Sequence, residues 1–257
     1  MRELTSFAVV VLGLFCLSQS AFADCRHKRQ IANEIELDGA VAIEVLATSG
    51  WLKIKGIDGA DRIVGRGEAC SDDKDRVGEI ELVMQRVGDR IEVIAAVPFR
   101  DERDEWRIGG LNLELTVPDS VPLVVSDSSG DLSIRSVASL ELTDSSGDID
   151  LREIAGHVVV ARDSSGDLDI RDAGDITIRI DSSGDIFVGN AASLTINEDT
   201  SGNIRIRDIR GNVVIGSDTS GSISASGIGG NFTVENDSSG EIETSNVAGE
   251  VNIPAKH

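Results

Sequence analysis

Residues 127–134 read Asp-Ser-Ser-Gly-Asp-Leu-Ser-Ile, and residues 144–151 read Asp-Ser-Ser-Gly-Asp-Ile-Asp-Leu. The phrase D-[ST]-S-G starts at Asp127, Asp144, Asp163, Asp181, Asp199, Asp218 and Asp237, at spacings of 17, 19, 18, 18, 19 and 19 residues. A fixed period of this kind is the mark of a repeat architecture. Within each copy the fifth residue after the aspartate is always aliphatic: Leu132, Ile149, Leu168, Ile186, Ile204, Ile223 and Ile242. The seventh is apolar in every copy but the last, where Thr244 stands. A second alternating pair precedes the next motif, as in Leu140/Leu142, Val158/Val160 and Ile176/Ile178.

Alternation at period two means strands with one buried face. Each repeat is therefore strand, turn, strand, turn, the second turn being marked by Gly156, Gly174, Gly211, Gly230 and Gly249. One copy cannot bury its apolar face alone, whereas stacked copies can. The expected fold is an all-β β-solenoid with two short strands per 17–19-residue coil, like strands pairing in parallel about 4.8 Å apart. An antiparallel sandwich of hairpins is the alternative, but it does not require like positions to stack.

Outside the regular array the pattern loosens. Residues 1–23 read as a signal peptide: Arg2, the apolar run Phe7 to Leu17, and Ala21-Phe22-Ala23 as cleavage site. Cys16 lies behind bulky Phe15, a poor match to a lipoprotein site. Residues 24–122 form an irregular β section, and 123–257 the regular solenoid of seven coils. Ala47-Thr48-Ser49-Gly50 is a degenerate motif, with Leu52, Ile54 and Ile57 at the expected offsets. It reads as an early coil, separated from the array by an insertion. That insertion contains a polar loop at 71–75, a hairpin turning at Gly88-Asp89, and a solvated charge run at 100–105.

The pattern resembles the bacterial beta-strand-repeat family labelled "putative adhesin", whose function is unassigned. The resemblance rests on Leu111-Asn-Leu-Glu-Leu-Thr-Val-Pro118, the short strand at 123–125 and the D-S-S-G-D-[LI]-x-[IL] copies that follow. It implies an exported β-solenoid and a surface or envelope interaction, and it brings no catalytic residues.

The motif has a structural reading and a sharper one. Gly130, Gly147, Gly166, Gly184, Gly202, Gly221 and Gly240 suit a corner that needs positive φ. The Asp and Ser before each would bond to the turn backbone, and serines such as Ser129, Ser146 and Ser165 would bond between coils. The sharper reading is calcium, held by the stacked Asp127, Asp144, Asp163, Asp181, Asp199, Asp218 and Asp237. Unit charges one coil apart repel by about 0.9 kcal/mol even in water. A second acidic column runs through Asp131, Asp148, Asp167 and Asp185, partly offset by Arg135, Arg152, Arg171 and Arg207. The motif lacks the calcium β-roll signature, so no cofactor is the first expectation and calcium the alternative.

Of the 257 residues, 24 are Lys or Arg and 45 Asp or Glu, a formal charge of −21. That balance disfavours nucleic acid and anionic membrane as partners. Cys25 and Cys70, the pair left after signal removal, are the expected disulfide of an exported protein. An enzyme would most plausibly be a polysaccharide lyase or hydrolase on a β-helix scaffold. The regular coils offer neither aromatic platforms nor long loops for one: Trp51 and Trp106 both lie outside them. His27, His157 and His257 show no ligand spacing, and no Ser sits in G-x-S-x-G. The expectation is a periplasmic or extracellular, non-catalytic protein without catalytic residues. Its partner would be an envelope or extracellular protein or glycan. Trp51, Trp106 and the loop at 98–107 are the expected contact surface.

Overall fold

β-Branched and γ-branched aliphatics on alternate positions commit each half-repeat to an extended strand, and stacking then removes one face from water. The structure, a computed structural model, describes residues 25–98 and 109–254. Strands Leu132–Val137, Ile149–Ile154 and the first half of Leu168–Asp181 lie side by side. The row continues through the first half of Ile186–Asp199 and through Ile204–Ile209, Ile223–Ile228 and Ile242–Val247. Every pairing is parallel and repeat positions are partners: Leu132 opposite Ile149, Ile149 opposite Leu168, Leu168 opposite Ile186. A second row runs from Leu123–Ser126, Leu140–Thr143 and Val158–Arg162 through the later halves of the two long strands. It ends with Val213–Asp218, Phe232–Asp237 and Val251–Asn252. The chain is a β-solenoid with two strands per coil.

Between the rows lies one continuous aliphatic interior. Ile134, Leu151, Ile170, Val188 and Ile206, all seventh from their aspartates, are fully buried, as are Leu142, Val160, Ile178, Ile196 and Ile215 from the opposite row. Each coil covers the apolar edge of the one before it, which is why no single repeat needs a core of its own.

The motif makes one corner of each coil. A second bend, not anticipated from the glycines at 156, 174, 211, 230 and 249, falls nine residues after each aspartate. Ser136, Glu153, Asp172, Asn190, Asp208 and Asn246 all adopt φ between +53° and +57°, and Gly227 takes +71°. A single left-handed residue reverses the inward-outward alternation, so the apolar residue at position ten, such as Val137 or Ile154, points inward again. In the long strands Leu168–Asp181 and Ile186–Asp199 the pairing skips the bend residues Asp172 and Asn190 and resumes in the same register at Ala173 and Ala191.

Chain order and spatial order part company near the N-terminus. Strands Ala42–Leu46 and Leu52–Ile57 form the early coil, and on one side they pair with Leu123–Ser126 and Leu132–Val137. On the other side they pair with Arg90–Ala96 and Gly109–Pro118, so the later segment stacks outside the earlier one. The insertion supplies antiparallel cover: Arg62–Ser71 pairs with both His27–Glu36 and Gly109–Pro118, and Glu81–Val87 forms a hairpin with Arg90–Ala96 around Gly88-Asp89. The expected polar loop at 71–75 is instead the entry to a short helix, Lys74–Glu79. The Asp73 carboxylate caps it, accepting from the N–H groups of Asp75 and Arg76, and Val77 buries beneath it. Six residues are too few to show helical periodicity in sequence.

At the other end the solenoid stays open. Phe232, fully buried, fills the interior of the penultimate coil, but Val251 and Ile253 beyond it are 43% and 49% exposed. The expected signal peptide, the charge run at 100–105, Trp106 and His257 lie outside the described residues. Among the described residues no helix is long and apolar enough to cross a membrane.

Candidate functional site

The repeated corner is where polar chemistry concentrates, and its residues divide into three columns with different partners. The glycines line up along the axis: a Cβ on Gly147 would lie 2.2 Å from the carbonyl oxygen of Gly130, and one on Gly166 1.9 Å from that of Gly147. Gly50 of the early coil joins the same column, since a Cβ on Gly130 would lie 2.2 Å from its oxygen. All eight have φ between +110° and +142°, a region open to glycine alone.

The serine two places after each aspartate bonds between coils. Ser146 Oγ donates to the Ser128 carbonyl at 3.3 Å, Ser183 to Ser164 at 3.1 Å and Ser201 to Ser182 at 3.1 Å. At the early coil Ser129 Oγ donates to the Thr48 carbonyl at 3.1 Å, which extends the ladder beyond the regular array.

The two acidic columns are unlike. Asp131, Asp148, Asp167 and Asp185 face outward, and their carboxylates accept backbone N–H groups from the next coil: Asp148 donates to Asp131, Asp167 to Asp148 and Asp185 to Asp167. Asp185 also takes Asn203 N–H and the Arg205 guanidinium at 2.8 Å, and these hydrogen bonds hold its carboxyl below the ordinary range. The motif aspartates turn the other way. Asp127, Asp144, Asp163, Asp181, Asp199 and Asp218 are 0–4% exposed, and only Asp237, at the open end, is half-buried. They sit where the corner meets the aliphatic interior.

Their satisfaction alternates. Asp127 accepts from Ser128 N–H at 2.8 Å, Asp163 from Ser165 N–H at 3.2 Å and Asp199 from Ser201 N–H at 3.2 Å. Asp144, Asp181 and Asp218 leave both carboxyl oxygens buried without a hydrogen-bond partner. Desolvation raises all six pKa values: to about 6 for Asp127, Asp163 and Asp199, about 7 for Asp144 and Asp218, and about 8 for Asp181. Like-charge repulsion from both column neighbours adds to the last three. The sequence reading has these residues bond to the turn backbone or hold calcium, and the inward direction of the side chain carries no signature in sequence. Among the described residues, no group of three or more His, Cys, Asp or Glu side chains is arranged to hold a metal ion.

On the outer face, repeat position eight is a basic row. Lys55 is in register with Arg135, Arg135 with Arg152 and Arg152 with Arg171. Arg152 pairs with Asp150 at 2.9 Å and with Asp169 at 2.8 Å, and Arg171 pairs with Asp169 at 2.8 Å while its guanidinium lies over the Phe187 ring. These two arginines hold the Asp169 carboxyl low against the opposing effect of its burial. Two adjacent clefts share Lys55 and Arg135. One, of about 460 Å³, adds Ser136, Arg152, Glu153 and Asp172, and the other, of about 370 Å³, adds Lys53, Glu114, Thr116 and Ser133. Lys53 Nζ lies 4.6 Å from the centroid of the Trp51 ring. Trp51, expected as a contact residue, therefore stands at the edge of a cleft that sequence reasoning did not identify. His27 lies in an antiparallel strand near the N-terminus and His157 at a turn of the array. Cys25 and Cys70 meet at disulfide distance, with Cα atoms 5.6 Å apart.

No protein-family model matches the chain. No curated protein matches it either. Solved structures do. A "putative cell adhesion protein" from Clostridium sporogenes is 11% identical over 90% of this chain and 100% of its own, with a TM-score of 0.33. A "putative adhesin" from Parabacteroides distasonis is 11% identical over 88% of this chain and 97% of its own, TM-score 0.35. Another, from Bacteroides fragilis, is 9% identical over 88% and 97%, TM-score 0.37.

Proposed function

We propose that the chain is a non-catalytic, exported scaffold that presents a repetitive acidic surface to an envelope or extracellular protein or glycan, in the manner of an adhesin. The observation that carries this reading is the in-register ladder. Position eight sets Lys55, Arg135, Arg152 and Arg171 in one row, and position four sets Asp131, Asp148, Asp167 and Asp185 in another. A partner with its own repeating groups engages such rows through many weak contacts, and the contacts reinforce one another by effective concentration. The clefts beside Trp51 are the place on this surface where an irregular feature breaks the repetition, and recognition tends to sit on such features.

Cross-linking in the native cell, followed by identification of the captured proteins and glycans, tests the scaffold reading. Enrichment of envelope or extracellular components supports it, and capture of cytoplasmic components alone sinks it. A second pull-down from envelope extracts, using a K53E/K55E/R135E variant and a deletion of residues 98–107, locates the surface. Recovery of the same partners in equal amount by both variants removes these regions from the interaction.

A further inference from the structure

Six carboxyl groups are stacked inside this solenoid, one per coil, and among the described residues no basic side chain acts on the column. Asp181 is in register with Asp199, Asp199 with Asp218 and Asp218 with Asp237, and an isolated parallel bridge joins Asp163 to Asp181. Ala47 occupies the motif position above Asp127, so the column has an aliphatic lid at one end and half-buried Asp237 at the other. The charged groups that act on it are themselves carboxyls: its own members, with Asp148 beside Asp163 and Asp185 beside Asp199. An ionised carboxylate can only accept hydrogen bonds, whereas a protonated one can donate. Asp181 and Asp199 are direct register partners on adjacent coils, and two carboxylate acceptors cannot bond unless one of them carries a proton.

We infer that the buried aspartates form a proton-sharing column. In it Asp144, Asp181 and Asp218 are carboxylic acids that donate to the carboxylates of neighbouring Asp127, Asp163 and Asp199. The alternation in backbone contacts assigns the roles. Asp127, Asp163 and Asp199 each accept a turn N–H at 2.8–3.2 Å, which favours the charged form. Asp144, Asp181 and Asp218 make no turn hydrogen bond of that geometry, and the weaker pull of the Ser145, Ser182 and Ser220 N–H groups is outweighed by burial and by like charge on both sides. A proton fits better than a metal ion, because each rung brings together two carboxyls and not the six or more oxygens that calcium takes. The column thus makes the fold itself a pH-responsive device. Acid fills the shared positions and locks adjacent coils, and alkali empties them and leaves unpaired charge one coil apart in the interior.

Three measurements test this on the full mature chain. Unfolding at pH 6 should release about four protons, nearly one each from Asp144, Asp181 and Asp218 and about half of one each from Asp127, Asp163 and Asp199, since an unfolded aspartate titrates near 3.9. The thermal midpoint should fall steadily from pH 5 to pH 8.5. In a D144N/D181N/D218N variant, whose amides donate as the acids would, the midpoint should exceed that of the native chain at pH 8.5 and the proton release at pH 6 should fall by about three. Native protein that unfolds at pH 6 without releasing protons overturns the inference. So does a midpoint at pH 8.5 that rises with millimolar calcium in the native chain and not in the variant, which would put a cation where we place the proton. If the variant does not fold, the infrared carbonyl band of protonated carboxyls in the native chain decides instead. Its presence at pH 6 and loss by pH 8.5 supports the column, and its absence at pH 6 rules it out.

Discussion

The carbonyl oxygen of Gly184 occupies the space that a side chain on Gly202 would need: a Cβ there would lie 1.7 Å away. The obstacle is backbone, not a flexible side-chain tip, and Gly202 also holds φ at +132°. Two independent penalties therefore fall on one substitution. Gly202→Ala should cost at least about 3 kcal/mol, combining left-handed strain with displacement of the adjacent coil. Gly78, whose Cβ would meet nothing within 4 Å, is the control: Gly78→Ala, in the short helix, should be neutral or stabilising. Chemical denaturation of the two variants checks the contrast.

The pH dependence has two limbs of opposite sign. Folded-state pKa values of about 6 to 8 for the motif aspartates mean that the folded chain binds more protons than the unfolded chain above pH 4. That stability is complete below the unfolded value and is lost as pH rises through 6 to 8. Asp169 and Asp185 are lowered by arginine and backbone partners, so their contribution is present above the unfolded value and lost as pH falls below it. Both are partly exposed, and the acid limb should be shallow. A maximum between about pH 4 and 5 follows, well below neutrality. Thermal melts across pH 3–9 test it, and a maximum at pH 8 would contradict it.

Ser183→Ala removes one hydrogen bond from the inter-coil ladder at a partly buried site, for a loss of about 0.5–1.5 kcal/mol. Phe232→Ala should cost far more, about 3–5 kcal/mol, because the ring is fully buried and the coil beyond it cannot collapse into the gap. Urea titration of the two variants should rank them in that order.

At the second bend, Glu153 holds φ at +56°. A β-branched residue tolerates that region worst, so Glu153→Val should lose about 1–2 kcal/mol, whereas Glu153→Gly should be tolerated. Equal stability of the two variants would show that the bend relaxes on substitution.

Oxidation of Cys25 and Cys70 should close a loop of sequence separation 45. The cross-link ties the first described residue to the end of strand Arg62–Ser71, and its reduction should lower stability by about 3–4 kcal/mol in the loop-entropy account. Thiol titration of exported protein, with and without reductant, checks the pairing, and two reactive thiols in the native chain would refute it.

How far the sequence revealed this molecule depended on whether a position's chemistry was distinctive. Gly130 and its successors are distinctive, since a recurrent glycine after Asp-Ser-Ser has few uses besides a left-handed corner. The second bend was hidden because Ser136, Glu153, Asp172 and Asn190 share a backbone conformation without sharing a side-chain type. The inward turn of Asp181 was hidden for a different reason. Aspartate in a turn ordinarily faces water, and only the stacking of corners shows that the carboxyl lies beneath its neighbours. The placement of the early coil, with strands Arg90–Ala96 and Gly109–Pro118 on one side and Leu123–Ser126 and Leu132–Val137 on the other, was also illegible. Alternating strands state which face is buried, not which neighbour each edge will choose. The clefts around Lys55 and Arg135 depend on that same placement, because they bring together residues 80 positions apart in the chain.

The exposed edge at Val251 and Ile253 has a bearing on ancestry as well as on shape. The last coil keeps the motif and the strand pairing of those before it, with Thr244 in place of an apolar residue at the open face, and each rung leans only on its immediate neighbours. A duplication or loss of one 17–19-residue unit would therefore lengthen or shorten the rod by about 4.8 Å while leaving every remaining rung in place. Reach is thus the property most freely adjustable in this lineage, and relatives should vary in rung number long before they vary in cross-section.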